Sequence, residues 1–377
     1  MKIIITVMKL FTGLLFIFSG VVKAIDPKGL AFKMQEFFEA WAGSGFLPKL
    51  MQLFNTQALT FSVIMITLEV VVGVALIVGW QKKFTLWILF LLILFFTFLT
   101  SYVLFSDKIR ACGCFGDCIP LTPIQTFTKD IVLLVFAICL LVYSKYITPI
   151  AKPLINFLYV LFATIAVLGL QAYVLRNLPL IDCLPYKEGN NILELQKMPT
   201  NAIPDKYEYL FVYEKDGAKK EFAANATPDS PWVFVDRQQK LIQKGSNNVP
   251  VISDFSLTTE AGFDSTEAIL NTKAEYYLLY IKDLDNYPTN WDGDKNFVLR
   301  ALAKGKSVLI VTAQLAKVKA HFLATPAIAN SANKLPFLSC DATIMKTVAR
   351  VNPTLYLMNA GTVVKKWSWT DLDKLLQ

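Results

Sequence analysis

Three cysteines fall within seven positions, Cys112-Gly113-Cys114-Phe115-Gly116-Asp117-Cys118, between two long apolar runs. Cysteines this close together serve disulfide exchange, ligation of a metal or cluster, or a structural staple. Cys112 and Cys114 are separated by a single glycine, so a bond between them closes a small, strained and easily reduced ring; Cys114 and Cys118 have the spacing for an unstrained one. Arg110 upstream favours a thiolate and Asp117 opposes it. Three thiols also permit a relay in which one attacks a partner and another resolves it. A zinc or iron-sulfur site would need a fourth ligand, and the only histidine, His321, lies far down the chain. Cys183, in Ile181-Asp182-Cys183-Leu184-Pro185, is the natural fourth thiol, either pairing with Cys118 or completing a metal site. Cys112, Cys114, Cys118 and Cys183 are therefore the candidate catalytic residues, and no metal is assigned. Cys139, among Leu, Val and Ile, reads as inert packing.

The elements that must position these thiols are apolar. With 54% hydrophobic residues and 28 Phe in 377 positions, the chain is too apolar for one ordinary soluble domain, and the excess lies before about position 178. Five segments approach the roughly 20 residues a bilayer demands: about 3 to 22, 58 to 80, 84 to 105, 127 to 146 and 154 to 175. The first resembles a signal peptide, but no small-residue cleavage site follows, so it is kept as a membrane helix. Lys2, Lys9, Lys82, Lys83, Lys145 and Lys152 mark one end of the crossings. If that end is cytoplasmic, the cysteine loop and everything after the fifth crossing face outward. The formal net charge of +8 comes from scattered Lys and Arg rather than a long basic run, which argues for membrane topology and against nucleic acid.

Positions 29 to 55 mix Leu30, Phe32, Met34, Phe37, Phe38 and Trp41 with Lys33, Glu36 and Glu39, a pattern suited to a helix lying in the interface or folded over the bundle. Glu69 stands about midway along the second crossing, where a carboxylate is costly unless protonated, partnered or facing a wet interior. Lys23 and Asp130 are its candidate partners. The three form either a helix-orienting network or a proton or quinone site.

Ser19-Gly20 with Lys23 and Asp26-Pro27, and Glu69 followed by Gly73 and Gly79, resemble the DoxX-type membrane family. The Cys112-Gly113-Cys114-Phe115-Gly116 loop and Thr128-Lys129-Asp130 resemble its MauE-type branch. The likeness covers roughly the first 145 residues. It implies a bacterial inner-membrane protein linked to processing disulfide-rich periplasmic proteins. DoxX-type relatives usually have four crossings, so the fifth is an extension.

Past Asn190 the composition becomes that of a globular domain. Tyr207 to Tyr213 and Lys219 to Phe222 flank Lys215-Asp216-Gly217-Ala218, a hairpin signal, and Trp232 to Val235 with Lys240 to Ile242 suggests a second hairpin. Strands are expected at Glu275 to Ile281 and Ser307 to Thr312, helices at Phe297 to Ala303 and Gln314 to Leu323, then a hairpin introduced by Asn352-Pro353 and a final helix from Thr370. This order resembles the thioredoxin fold, with Pro353 where that family keeps a cis-proline and Phe255-Ser256-Leu257 resembling a leading strand. Thioredoxins place two cysteines after the first of these strands; Lys282 to Trp291 holds none, which argues against thioredoxin-type catalysis. Cys340 is this region's only thiol.

The expected fold class is thus an α-helical transmembrane bundle of five crossings plus a C-terminal α/β, thioredoxin-like extracytoplasmic domain with a small β subdomain. The division expected is 1–146 for a four-helix membrane domain, 147–178 for the additional crossing, 179–248 for a linker and β subdomain, and 249–377 for the thioredoxin-like part. Two functions follow. One is a membrane thiol-disulfide oxidoreductase acting on exported clients; the other is a non-catalytic accessory subunit whose outer domain docks another envelope protein. The lipid bilayer is the common partner. A hydrolytic triad has no motif to support it.

Overall fold

A computed structural model describes residues 1–106, 109, 113, 115–223, 226, 228, 231–243, 245–288 and 291–376. Five of its helices are long and apolar enough to cross a membrane: α1 (Lys2–Ile25), α4 (Ala58–Val78), α5 (Lys82–Ser106), α6 (Pro123–Val142) and α7 (Pro153–Arg176). Between the first two lie α2 (Pro27–Gly43) and α3 (Pro48–Thr56). The fourth crossing starts four residues earlier than its apolar run, because Thr122 and Gln125 form a capping box and Pro123 opens the first turn. It ends at Val142, where Ser144–Tyr146 makes a short 3-10 turn.

The bundle closes through small residues and a few buried polar groups. On α1 and α4, a Cβ added to Gly73 would come within 2.8 Å of the Gly13 carbonyl, and one on Gly20 within 2.5 Å of Val70. Only glycine lets these backbones approach so closely, which matters in lipid, where helix association relies on packing. Lys9 Nζ donates to the Ile77 carbonyl and Lys82 Nζ to that of Ile147. These basic residues therefore gather at the end of the bundle that carries the α4–α5 and α6–α7 connections. The other end carries α2, α3, the cysteine loop and the exit from α7. α2 buries Ala31, Met34 and Phe37 along one face, as the mixed apolar and charged pattern of that segment suggests.

Beyond α8 (Ile192–Gln196), β1 (Lys206–Lys215), β2 (Ala218–Ala223) and β3 (Val233–Gln243) form an antiparallel sheet in the order β2-β1-β3. Asp216 and Gly217 both take positive φ, 51° and 79°, the backbone of a two-residue hairpin turn. The second hairpin expected from Trp232 to Ile242 is instead one strand: Asp236-Arg237-Gln238-Gln239 holds no glycine or proline to turn the chain, and the run pairs with the length of β1.

A second, mixed sheet follows: β4 (Thr258–Thr259), α9 (Thr266–Leu270), β5 (Tyr276–Ile281), α10 (Gly293–Ala303), β6 (Ser307–Thr312), α11 (Leu315–Leu323), α12 (Pro326–Ala329), β7 (Phe337–Ser339), α13 (Ala342–Val348), β8 (Thr354–Asn359), β9 (Thr362–Ser368) and α14 (Trp369–Leu372). The strand order is β4-β7-β6-β5-β8-β9, with β5, β6 and β7 parallel and β4, β8 and β9 antiparallel to their neighbours. Every residue of β5 is buried. Tyr276, Leu278 and Tyr280 enter one core and Tyr277, Leu279 and Ile281 the other, the period-2 alternation of a central strand covered on both faces. The Asn352–Pro353 peptide is cis. Asn352 clasps the end of β5, accepting from Lys282 N at 2.9 Å and donating to the Asp283 carbonyl at 2.6 Å.

The segment leaving α7 belongs to this sheet's packing. Tyr186 and Ile192, within the stretch expected to be linker, lie in its core. Backbone bonds from Gly189 to Val363 and from Val363 to Asn190 run the segment along β9.

Candidate functional site

The cysteine loop is held from two directions. Cys118 is disulfide-bonded to Cys183, across 65 positions of sequence. Cys183 is itself fixed on the α/β domain, because neighbouring Asp182 accepts from Lys366 Nζ of β9 at 2.6 Å while its other oxygen caps the Leu184 N–H. Burial opposes charge on Lys366, but Tyr356 and Asp182 more than offset it, so its pKa is raised. The bond thus fastens the loop between α5 and α6 to the domain that follows α7.

Arg350 supplies the second hold. It follows α13, its side chain is 8% exposed, and it reaches two carboxylates of the membrane domain: Nε donates to Asp26 Oδ2 at 2.8 Å and Nη2 to Asp117 Oδ2 at 3.0 Å. Asp26 serves twice, since its Oδ1 caps α2 by accepting from Gly29 N. Lys28 Nζ returns a bond to the Arg350 carbonyl at 2.6 Å. The Phe32 ring of α2 lies under three cations, Lys282, Lys346 and Arg350, at 5.3 to 5.8 Å. Burial, with help from Lys282, lowers the Lys28 pKa to about 8.

A cavity lies beneath the disulfide. Cys118 and Cys183 line it together with Gly113, Gly116 and Asp117 of the loop and Lys23 and Asp26 of the membrane domain. From that wall Lys23 Nζ turns into the bundle and donates to both oxygens of Glu69, at 2.8 and 2.6 Å, while Ser19 Oγ donates to Oε1 at 2.7 Å. Lys23 and Glu69 are each 4% exposed. The ammonium also sits 4.9 Å from the Phe96 ring of α5. Burying this carboxylate is tolerable because its partner is a cation at hydrogen-bond distance. Asp130 is held elsewhere: Thr100 Oγ1 donates to it at 3.1 Å and Lys129 Nζ lies 2.6 Å away. Lys129 lies next to it in sequence, and Thr100 is brought to it by the packing of α5 on α6.

The cysteines thus fall into three groups. Cys118 and Cys183 are joined; Cys112 and Cys114, with Arg110, lie outside the described residues; Cys139 and Cys340 are free. Cys340 is buried at the end of β7, its N–H bonded to the Thr312 carbonyl, and burial pushes its thiol up to about 12. Such a thiol is a packing group. Among the described residues no three His, Cys, Asp or Glu side chains converge as metal ligands. Sequence reasoning missed Arg350 entirely, and it missed the approach of His321 Nε2 to the fully buried Asp294, 3.3 Å away. These pairs are 324 and 27 positions apart, and no local signal links them.

Residues 1–144 match the family model described as methylamine utilisation protein MauE. The five apolar helices and this match define a multi-pass membrane protein with a MauE-like N-terminal domain. Residues 207–244, the small antiparallel sheet, match a domain of unknown function, DUF8463. A curated relative, "Protein TlpB" of Flavobacterium psychrophilum, is 36% identical over 123 residues, which is 31% of this chain and 32% of that protein. The chain therefore spans about a third of the length of the curated relative it matches. No solved structure matches it.

Proposed function

We propose that the protein is a thiol-disulfide redox protein of the bacterial inner membrane, with its cysteine end and its α/β domain in the periplasm. The orientation is supported by Lys82, Lys83, Lys145 and Lys152 at the opposite end of the bundle. The observation that carries the activity is the Cys118–Cys183 bond at the wall of a cavity that Lys23 also lines, four positions along the same loop from Cys114. In this reading a client thiolate attacks the Cys112–Cys114 disulfide and forms a mixed disulfide. The client's second thiol resolves it, leaving an oxidised client and two reduced cysteines. Exchange with Cys118–Cys183 restores the first pair and passes two electrons and two protons to the second. A membrane quinone, were one bound beside Lys23, would supply the two-electron acceptor for Cys118 and Cys183. Lys23 at the cavity wall would hold its oxygen and Glu69 would take the accompanying protons, while Asp130, engaged by Thr100 and Lys129, stands apart from this step. In the present arrangement Glu69 is engaged by Lys23 and Ser19, so the pair must open for that step.

The strand order supports reading residues 249–377 as thioredoxin-like, in the role of presenting the client. One observation favours a second reading, an accessory subunit whose cysteines are staples: the chain between β5 and α10 has no cysteine, and Cys340 is buried.

Differential alkylation of the membrane-embedded full chain, before and after mild thiol reductant, separates the two. The oxidoreductase reading expects Cys112 and Cys114 to cycle, and the combination Cys112→Ser with Cys114→Ser to let exported clients accumulate reduced. Lys23→Met combined with Glu69→Met, which leaves no bare buried charge, should spare a single turnover and block repeated ones. Cysteines that all resist mild reductant, with client oxidation unchanged in the double variant, would establish the accessory role.

A further inference from the structure

Among the described residues, the two edges of the small sheet differ, and the β3 edge is the long one. β3 is eleven residues long, all eleven are exposed, and it lies outermost in the order β2-β1-β3. Among the described residues no strand pairs with its outer side, so one row of its backbone N–H and C=O groups faces water. Edges of this kind invite a further strand, and proteins usually blunt them with short length or with lysines. β2, at the opposite edge, has six residues, two of them adjacent lysines, Lys219 and Lys220. β3 instead presents Val233, Phe234, Val235, Leu241 and Ile242, each at least 42% exposed. From Asp236 to Leu241 its register against β1 is regular, so its middle is a straight template.

The sequence of β3 is complementary to itself. Antiparallel pairing of the regular stretch with an identical strand about a twofold axis at Gln238 sets Asp236 opposite Lys240 twice, with the register irregularities at Val235 and Ile242 just outside it. The register is selective. A slip of one residue in one direction sets Arg237 against Lys240, and in the other sets Val235 against Lys240, and either slip loses both ion pairs. We propose that β3 is a homodimerisation edge: two copies in one bilayer join β3 to β3 and form a continuous six-stranded sheet, β2-β1-β3-β3-β1-β2. Both chains are anchored, so the twofold axis runs along the membrane normal and the two meet within a plane. Charge complementarity within one strand singles out a second copy of this chain as the occupant. The consequence is a pair of cysteine sites held at a fixed spacing.

Gln238→Cys places a thiol on the axis, opposite its own copy at the roughly 5 Å separation of directly facing residues. In native membranes a short thiol-specific bifunctional reagent should give a product with the mass of two chains, absent from the wild-type chain treated identically. Adding Asp236→Lys to Gln238→Cys places lysine opposite Lys240 twice and should lower that yield about tenfold. Further addition of Lys240→Asp exchanges the charges and should restore it. A misfolded variant would not be rescued by a second charge change. The proposal is overturned if no two-chain product forms, if the thiol couples to a different protein, or if the yield ignores Asp236→Lys. Light scattering of the wild-type chain in nanodiscs gives an independent check, with two copies expected and one copy contradicting.

Discussion

Two charge networks hold this molecule together, one inside the bundle and one at the junction of its two halves, and they differ in what solvent is allowed to do. Lys23 and Glu69 have given up water almost completely, and the ammonium meets both carboxylate oxygens. Arg350 is as buried as a bundle residue, but its partners are not: Asp26 is 22% exposed and Asp117 45%. A desolvated pair is expensive to half-remove, because the survivor is a buried bare charge. A pair with wet partners is forgiving, because water replaces the lost donor. The first network therefore fixes helix packing, and the second is a clasp that can be loosened without unfolding either side.

The comparison is broken most severely at Glu69. Glu69→Ala leaves Lys23 charged among helices and should cost about 3–5 kcal/mol, read as a large fall in the thermal unfolding midpoint in detergent. Lys23→Met combined with Glu69→Met removes both charges and should recover most of that loss. If Glu69→Ala alone were as stable as the wild-type chain, the pair would not be the desolvated contact described.

The clasp should give way more gently. Arg350→Ala removes the link to Asp26 and Asp117 and should weaken docking by about 1–2 kcal/mol. Hydrogen exchange should quicken at the start of α2 and in the loop around Asp117, while β5 and β6 keep their protection. Protection lost equally across the sheet would mean that Arg350 supports the fold of its own domain.

The difference between the two networks also marks what was legible in the sequence. Glu69 was conspicuous because a carboxylate in an apolar run has few explanations, and Lys23 was a short step away on the preceding crossing. Asp130 was offered as a partner on the same logic, but its neighbour Lys129 and the facing Thr100 satisfy it. The crossings themselves were readable because lipid imposes a minimum apolar length, and β5 because its run of apolar residues spans both cores. Short elements were not. β7 has three residues and α13 seven, too few for a period to show. Arg350 follows those elements, so nothing near it in sequence predicts Asp26 or Asp117. The Cys118–Cys183 pairing was one of several open alternatives, and only the run of the α7 exit along β9 selects it.

The smallest effect belongs to Lys28, a clasp group whose pKa is drawn down toward neutral pH. Burial, then Lys282, lowers its pKa from 10.5 to about 8, against the opposing pull of Asp26. Below about pH 8 the ammonium is charged in both the docked and the unfolded chain, and the burial penalty is fully present. Between about 8 and 10.5 the folded chain has released the proton while the unfolded chain keeps it, so stability rises with pH across that window and levels off above it. Lys28 is only partly buried, so the gain should be on the order of 1 kcal/mol once solvent screening is discounted. Nζ still has N–H groups to donate to the Arg350 carbonyl when neutral, so the clasp is kept while its penalty falls. The measurement is the difference between wild-type and Lys28→Met unfolding midpoints at pH 7.5 and 9.5, which cancels groups common to both. The wild-type chain should gain relative to the variant as pH rises. A gap that stays constant would place Lys28 in water and the Arg350 clasp in a looser contact than its distances indicate.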